Sequence, residues 1–272
     1  MTEADHHEAH SAGPAGWRTD TVVGVVILLA LAVAPLYRAG PERLPEFGAI
    51  AESATLKSEF FAFLAPVVAA ENERVLEQRR RLLEIAPRIR SAVALSPIDR
   101  RWLRRLAAEY ELEWPGRSRA DTLEALLRRV DIIPVPLALV QAAAESGWGR
   151  SRFAREGNNL FGQWCYAPGC GIVPARRSPD QVHEVAAFET VGDSVRRYLN
   201  NLNTHPSYRG LREIRARQRA AGQRPLALQL ANGLAPYSER REAYVEDIRQ
   251  MIRANRDLID EAVEPARATT GV

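Results

Sequence analysis

From Leu56 to Asp260, apolar side chains recur at intervals of three and four residues, the spacing that lines one face of an α-helix. Val75, Leu76, Leu82 and Leu83 follow this rule. Pro97 after Ser96 marks a helix start, with Trp102, Leu103, Leu106 and Tyr110 on one stripe. Asp121 or Thr122 can cap a helix predicted over Leu123 to Val130, with Leu123, Leu126, Leu127 and Val130 inward. Pro136 suits the first turn of another that runs to Ser146, where Gly147 can end it. Thr190 with Asp193 forms a capping-box pattern, and the helix it opens places Val195, Tyr198, Leu199 and Leu202 on one face. A last long helix is predicted after Ser238, with Tyr244, Val245, Ile248, Ile252 and Ile259 inward.

The period changes between Gly157 and Phe188. Gly157 to Gly171 is rich in glycine and aromatics, and Ile172 to Phe188 reads as a small hairpin in which Val182, Glu184 and Ala186 alternate with His183, Val185 and Ala187. The fold class that results is mainly α (α+β), with one small β element near the middle. Upstream, Thr21 to Tyr37 (TVVGVVILLALAVAPLY) is uncharged and about the minimum length that spans a bilayer. Ala32-Val33-Ala34 looks like a signal-peptidase box, but Pro35 after it and the long polar lead favour an uncleaved anchor. Phe60 to Ala70 is apolar too; it is too short to span and contains Pro66, so a buried helix segment is expected. The expected organisation is a polar tail over 1–20, a transmembrane anchor over 21–37, a linker over 38–55, a helical extension over 56–120, a catalytic domain over 121–262 and a disordered tail over 263–272.

Composition narrows the function classes. The 272 residues are 46% hydrophobic, enough for a core, and 37 Lys and Arg against 34 Asp and Glu leave a net charge of +3. So small an excess does not argue for a nucleic-acid partner. Cys165 and Cys170 flank a Pro-Gly loop. Two thiols cannot by themselves build a four-ligand zinc site, so no metal is expected, and a disulfide fits an oxidising compartment. Arg18 before the apolar segment and Arg38 and Arg43 after it do not place the N-terminus in the cytoplasm; the cysteine pair does.

Glu145 is the candidate acid. It ends the alanine-rich run Gln141-Ala-Ala-Ala-Glu145-Ser-Gly-Trp-Gly149, where the negative end of the helix dipole disfavours a carboxylate. Apolar neighbours add to that effect, and a carboxyl so placed should hold its proton nearer neutrality, as a general acid requires. Taken alone, a glutamate at a helix end is more often a solvated surface residue.

The surrounding motifs change that reading. Ala144-Glu-Ser-Gly-Trp-Gly-Arg-Ser151 and Gly157-Asn-Asn-Leu-Phe-Gly-Gln-Trp164 resemble the peptidoglycan glucosaminidases, family 73 glycoside hydrolases, and more closely their Bax-like bacterial branch. The likeness extends to Val130-Asp-Ile-Ile-Pro134, the Cys165 to Cys170 loop, Gly171-Ile-Val-Pro174, Asn203-Thr-His-Pro-Ser-Tyr208 and Leu234-Ala-Pro-Tyr-Ser-Glu-Arg240. It implies a lysozyme-like fold, with an α lobe and a small β lobe around a groove, and no cofactor. It also implies cleavage of the β-1,4 bond after N-acetylglucosamine in peptidoglycan, the expected partner. The anchor over 21–37 lies outside the resemblance; together with the cysteine pair and this substrate it leads to the expectation of an inner-membrane tether with the catalytic domain in the periplasm. Glu145 takes the place of the family's acid. Gln141, Trp148, Phe161, Trp164, Tyr237 and Tyr244 become expected substrate contacts, although each aromatic could equally be core. Asn158 and Asn159 could bind the sugar acetamide or simply make a turn. Glycosidases usually need a second carboxylate. Of Asp180, Glu184 and Glu189, Glu184 is selected because the hairpin alternation could point it into the groove; assistance by the substrate's own N-acetyl group is the other route. A lytic transglycosylase on the same fold and a non-catalytic wall-binding module are the alternative readings.

Overall fold

The computed structural model describes residues 43–116, 118–175, 177 and 182–270, with side chains described as far as residue 264. The anchor expected over 21–37 lies outside the described residues, as do Asp180 and the polar tail. Residues Gly40–Val272 form one compact unit.

Helix α1 (Ser53–Arg90) runs 38 residues through Pro66 and Pro87, capped by the Glu52 carboxylate on the amides of Ala54 and Thr55. By length and composition alone this helix could cross a membrane. Its apolar stripe is already used: Phe60, Phe61, Leu64, Ala65 and Val68 are buried in the main core, with Leu137 to Val140 of the next-but-two helix. Past Val75 the same helix changes partners and packs on α2 (Pro97–Glu109) and α3 (Arg119–Arg129), where Leu82, Ile85, Leu103, Leu106, Leu123 and Leu126 make a second core. Because α1 belongs to both cores, the helices expected as an extension over 56–120 pack on those of the domain expected over 121–262. Helix α3 begins at Arg119 with Ser118 as its cap, four residues earlier than the sequence pattern placed it.

Helix α4 (Val135–Ser146) is the centre of the fold, with every residue from Leu137 to Ala143 buried. A helix apolar all round must be enclosed on every side, and neighbours from α1, α9 (Glu242–Ala254) and α10 (Arg256–Thr270) enclose this one. The segment leading into it is pinned by buried polar groups. Asn72 donates to the Ile133 carbonyl at 2.8 Å and accepts from its amide at 3.2 Å. Arg215, 1% exposed on α7 (Arg209–Ala220), donates to the carbonyls of Arg128, Asp131 and Ile132. Asn203 of α6 (Val191–Thr204) adds a bond to the Asp131 carbonyl at 2.9 Å. The carbonyls at the end of α3 thus meet cations and amides rather than apolar core.

After α4 come the short helix α5 (Arg152–Gly157) and a three-stranded antiparallel sheet: β1 (Trp164–Cys165), β2 (Gly171–Ile172) and β3 (Glu184–Ala186), in the order β1-β3-β2. A hairpin within 172–188 was expected; β3 instead lies between two partners, pairing Trp164 with Val185 and Gly171 with Ala186. The disulfide Cys165–Cys170 closes the loop that lets β1 and β2 flank it. Gly171 is needed there, since a β-carbon would stand 2.0 Å from the Val185 carbonyl oxygen. Thr190 caps α6 by accepting from the Asp193 amide, as the sequence pattern indicates. Further on come α7 and the short α8 (Ala227–Leu230). The single long helix expected after Ser238 is two, α9 and α10, parted at Asn255, whose side chain donates to the Met251 carbonyl at 2.8 Å. Helix α10 continues past residue 263, where a disordered tail was expected, and buries Ile259 and Val263 in the main core. The helices around α4 and the small sheet together make a lysozyme-like α+β fold.

Candidate active site

The sequence that follows Glu145 builds a left-handed stop. Gly147, Trp148 and Gly149 have φ values of 58°, 60° and 75°. Glycine adopts this region freely, whereas Trp148 is held in it against its preference. Its ring packs edge-on against Phe60 and Phe61, at centroid distances of 5.8 and 5.3 Å. At Gly149 a β-carbon would lie 2.6 Å from the Phe47 ring, so the backbone must be bare. Ser146 donates to the Ala142 carbonyl and accepts from the Gly149 amide. Arg150 reaches the carbonyls of Phe47 and Ile50. This turn halts α4 one residue past Glu145 and fixes that residue at its end.

Glu145 is half-buried, and its neighbours form a single chain of hydrogen bonds. Tyr198 donates to Gln141 Oε1 at 2.6 Å. Gln141 Nε2 donates to the Tyr244 hydroxyl at 3.0 Å, and Tyr244 donates to Glu145 Oε1 at 2.7 Å. Gln141 is fully enclosed, Tyr198 is 1% exposed and Tyr244 6%. Burial pushes the Glu145 carboxyl above the ordinary carboxylate range, and the Tyr244 bond, which favours the ionised form, offsets only part of that. Burial likewise raises the Tyr244 phenol, with the nearby Glu145 charge adding to it, so Tyr244 keeps its proton and remains a donor.

A cleft of about 270 Å³ opens beside Glu145, bounded by Ser238 and Arg240 and by Tyr244, Asp247, Ile248 and Met251. Arg240 pairs with Asp247 at 2.7 Å. On another side stands the loop from Phe161 to Trp164: a β-carbon on Gly162 would lie 3.7 Å from Glu145 Oε2. Gly162 has φ 63°, a conformation natural to glycine. Tyr237 stacks on Tyr244, with centroids 5.6 Å apart, and donates to the Phe161 carbonyl at 2.9 Å, tying this loop to the acid's own support.

The expected site residues divide. Glu145, Tyr244 and Tyr237 meet, and Trp164 stands at the surface, 53% exposed and stacked on His183 at 4.3 Å. Others are architecture. Phe161 is 2% exposed and stacks face to face on Tyr198 at 3.9 Å. Gln141 is enclosed and supports Tyr244, and Trp148 packs on α1. Asn158 donates to the carbonyls of Phe188 and Glu189. Asn159 donates to those of Gln163 and Ala186 and accepts from the amides of Phe161 and Gln163, which fastens the loop to β3. Both side-chain amides are thus engaged by backbone carbonyls.

Glu184 does not follow the alternation into the groove. It is 7% exposed, and its two oxygens accept from the amides of Gly169 and Gly171 at 3.1 and 2.8 Å. Those two bonds hold its carboxyl below the ordinary range. Its carboxylate stands close to Cys165 and Cys170, but sulfurs joined to each other offer no thiolate to a metal. Sequence reasoning missed Tyr198 as Gln141's partner, and it missed Asp247 and Arg240 in the cleft. The helical stripe marked Tyr198 as inward but did not show what its hydroxyl meets.

Comparison with known proteins identifies the family of the chain. The family model described as "Glucosaminidase: Mannosyl-glycoprotein endo-beta-N-acetylglucosaminidase" matches residues 120–257, a span that contains Glu145, the loop, the sheet and the cleft. Protein bax of Escherichia coli (strain K12) is 34% identical over 216 residues, covering 79% of this chain and 76% of the relative. No solved structure matches significantly. On this coverage and identity, the chain is a Bax-like member of the glucosaminidase family.

Proposed function

We propose that the protein is a peptidoglycan hydrolase that cleaves the β-1,4 bond after N-acetylglucosamine, with Glu145 as general acid. The observation that carries this is Glu145 itself: a half-buried carboxyl, raised by burial, held by Tyr244 at the end of a rigid helix and open to a cleft. Glycosidic cleavage needs a proton on the leaving oxygen, because an alkoxide leaves poorly. A carboxyl that keeps its proton toward neutrality supplies it. Exposed Trp164 offers a flat apolar face to a sugar ring.

For the second role, Glu184 is committed to two loop amides, which supports a structural task for it. Asp247 is the other carboxylate lining the cleft beside Glu145 among the described residues. We place the catalytic domain in the periplasm, tethered to the inner membrane by the apolar segment 21–37. The Cys165–Cys170 disulfide supports an oxidising compartment.

The test is product analysis with the full chain on purified peptidoglycan. Reducing N-acetylglucosamine ends are expected, and Glu145→Gln should abolish them. Anhydro-muramic ends would mark a lytic transglycosylase instead. Peptidoglycan retention with no turnover at any pH would mark a binding module.

A further inference from the structure

The chain Tyr198, Gln141, Tyr244, Glu145 has a direction. Gln141 Oε1 can only accept, so Tyr198 donates to it; Gln141 Nε2 can only donate, so Tyr244 accepts there and spends its own hydrogen on Glu145 Oε1. All three donors point toward the acid. The reversed arrangement has the same contacts. Glu145, protonated on Oε1, would donate to Tyr244, Tyr244 to the oxygen of a turned Gln141 amide, and that amide to Tyr198. What differs is the far end. The one hydrogen-bond partner of the Tyr198 hydroxyl among the described residues is Gln141 Oε1, and Tyr198 is 1% exposed, stacked on Phe161. In the reversed chain its hydrogen would be buried with no acceptor, which is strongly disfavoured.

We propose that Tyr198 is a positioning residue: by forcing the chain to run toward Glu145, it keeps Oε1 an acceptor and leaves the acidic proton on Oε2, the oxygen beside Gly162. The idea rests on Glu145 being the acid. It adds which oxygen delivers the proton and which buried residue decides it. No bond is made or broken in this step; only the position of one carboxyl proton is selected.

The consequence has a sign. Without the Tyr198 hydroxyl, the neutral acid gains the reversed arrangement as a second stable state, and the ionised acid loses a cooperative donor chain. Both changes favour the neutral form, so Glu145 should hold its proton to higher pH. The fraction carrying the proton on Oε2 falls, so the rate plateau should drop.

The experiment uses the full chain with peptidoglycan, comparing wild type, Tyr198→Phe, Gln141→Met and the double variant. Each is scored by a pH–rate profile and by carbon-13 NMR titration of the Glu145 carboxyl. Tyr198→Phe is expected to move the alkaline limb and the NMR midpoint up by about half to one pH unit while the plateau falls several-fold. Gln141→Met should do the same, and the double variant should shift no further than either, because both act through one chain. A merely structural role predicts otherwise: loosened packing admits water, which moves a buried carboxyl down. An unmoved or lowered midpoint in both single variants overturns the relay. Turnover surviving in Glu145→Gln overturns the acid itself, so the two failures read differently.

Discussion

Oε2 of Glu145 lies 3.7 Å from the point where a β-carbon on Gly162 would stand. A methyl there would make ordinary van der Waals contact with the acid, so the space admits it, but the φ of 63° makes alanine a strained replacement. Gly162→Ala should lose about 1 to 2 kcal/mol of stability to the left-handed backbone. The added methyl displaces water from the carboxyl, so the alkaline limb of the pH–rate profile should move up while the rate falls about tenfold through misplacement. Thermal unfolding and the profile, measured on one preparation, separate the two effects. A rate loss no larger than the stability loss explains would mean that the loop is only scaffolding.

Tyr244 acts on the same carboxyl from the other oxygen. Its bond favours the ionised acid, so Tyr244→Phe removes a lowering influence from a group that burial already raises. The alkaline limb should rise by about one pH unit. The rate plateau should fall at the same time, because the acid loses the contact that aims it. A downward shift in the limb would show that solvent entering the vacated space outweighs the lost bond.

These two residues also show where sequence reasoning succeeds and stops. The end of α4 is legible because its signals are local: a proline in the first turn, an apolar run and Gly147 after Ser146. The identity of the acid follows from motifs that lie together in the chain. The roles of Asn159 and Gln141 do not, because they depend on backbone and hydroxyl groups brought from elsewhere: Asn159 bonds Ala186, and Gln141 sits between Tyr198 and Tyr244. Residue type suggests sugar binding at such positions, and only tertiary packing shows that the amides are already taken. Trp148 is the same case: the residue fits a groove, but Phe60 and Phe61, more than eighty positions earlier, cover its ring edge-on. The three-stranded sheet was illegible because strands of two or three residues leave almost no alternation to read.

Asp131 anchors the approach to the acid's helix. It accepts from Arg219 at 3.0 and 2.7 Å and faces Arg79 and Arg215. Burial alone would raise its carboxyl, but Arg215, Arg219 and Arg79 outweigh that and hold it below the ordinary range. Burial pulls Arg215 down to about 10, still protonated at neutral pH. Asp131→Ala should cost about 3 to 5 kcal/mol, because it leaves buried cations without their counter-charge. The pH sign follows from the lowered value: the contribution is complete above the unfolded pKa, near 3.9, and is lost as pH falls through the lower folded one. Urea unfolding from pH 6 down to pH 2 should show wild type losing more stability than Asp131→Asn over that window. Parallel curves would remove Asp131 from the acid-stability argument.

Glu184 gives the sharpest division between structure and chemistry. Its two oxygens face two backbone donors, Gly169 inside the loop that Cys165 and Cys170 close and Gly171 at the start of β2 just after it. Glutamine keeps one acceptor and turns an amino group toward the other donor, so Glu184→Gln breaks one bond and sets two donors against each other. The loop next to exposed Trp164 should loosen. Because Glu145 and its supporting chain lie on other elements, the loss should fall on substrate capture: KM rises several-fold and kcat stays within about threefold of wild type. The same variant tests the opposite role. If the Glu184 carboxylate stabilises charge or activates water in the reaction, kcat collapses by several orders of magnitude, and amide exchange at Gly169 and Gly171 barely changes. Measuring kcat, KM and that exchange on one variant assigns Glu184 to the loop or to the chemistry, and a collapse of kcat would turn attention from Asp247 back to the β element.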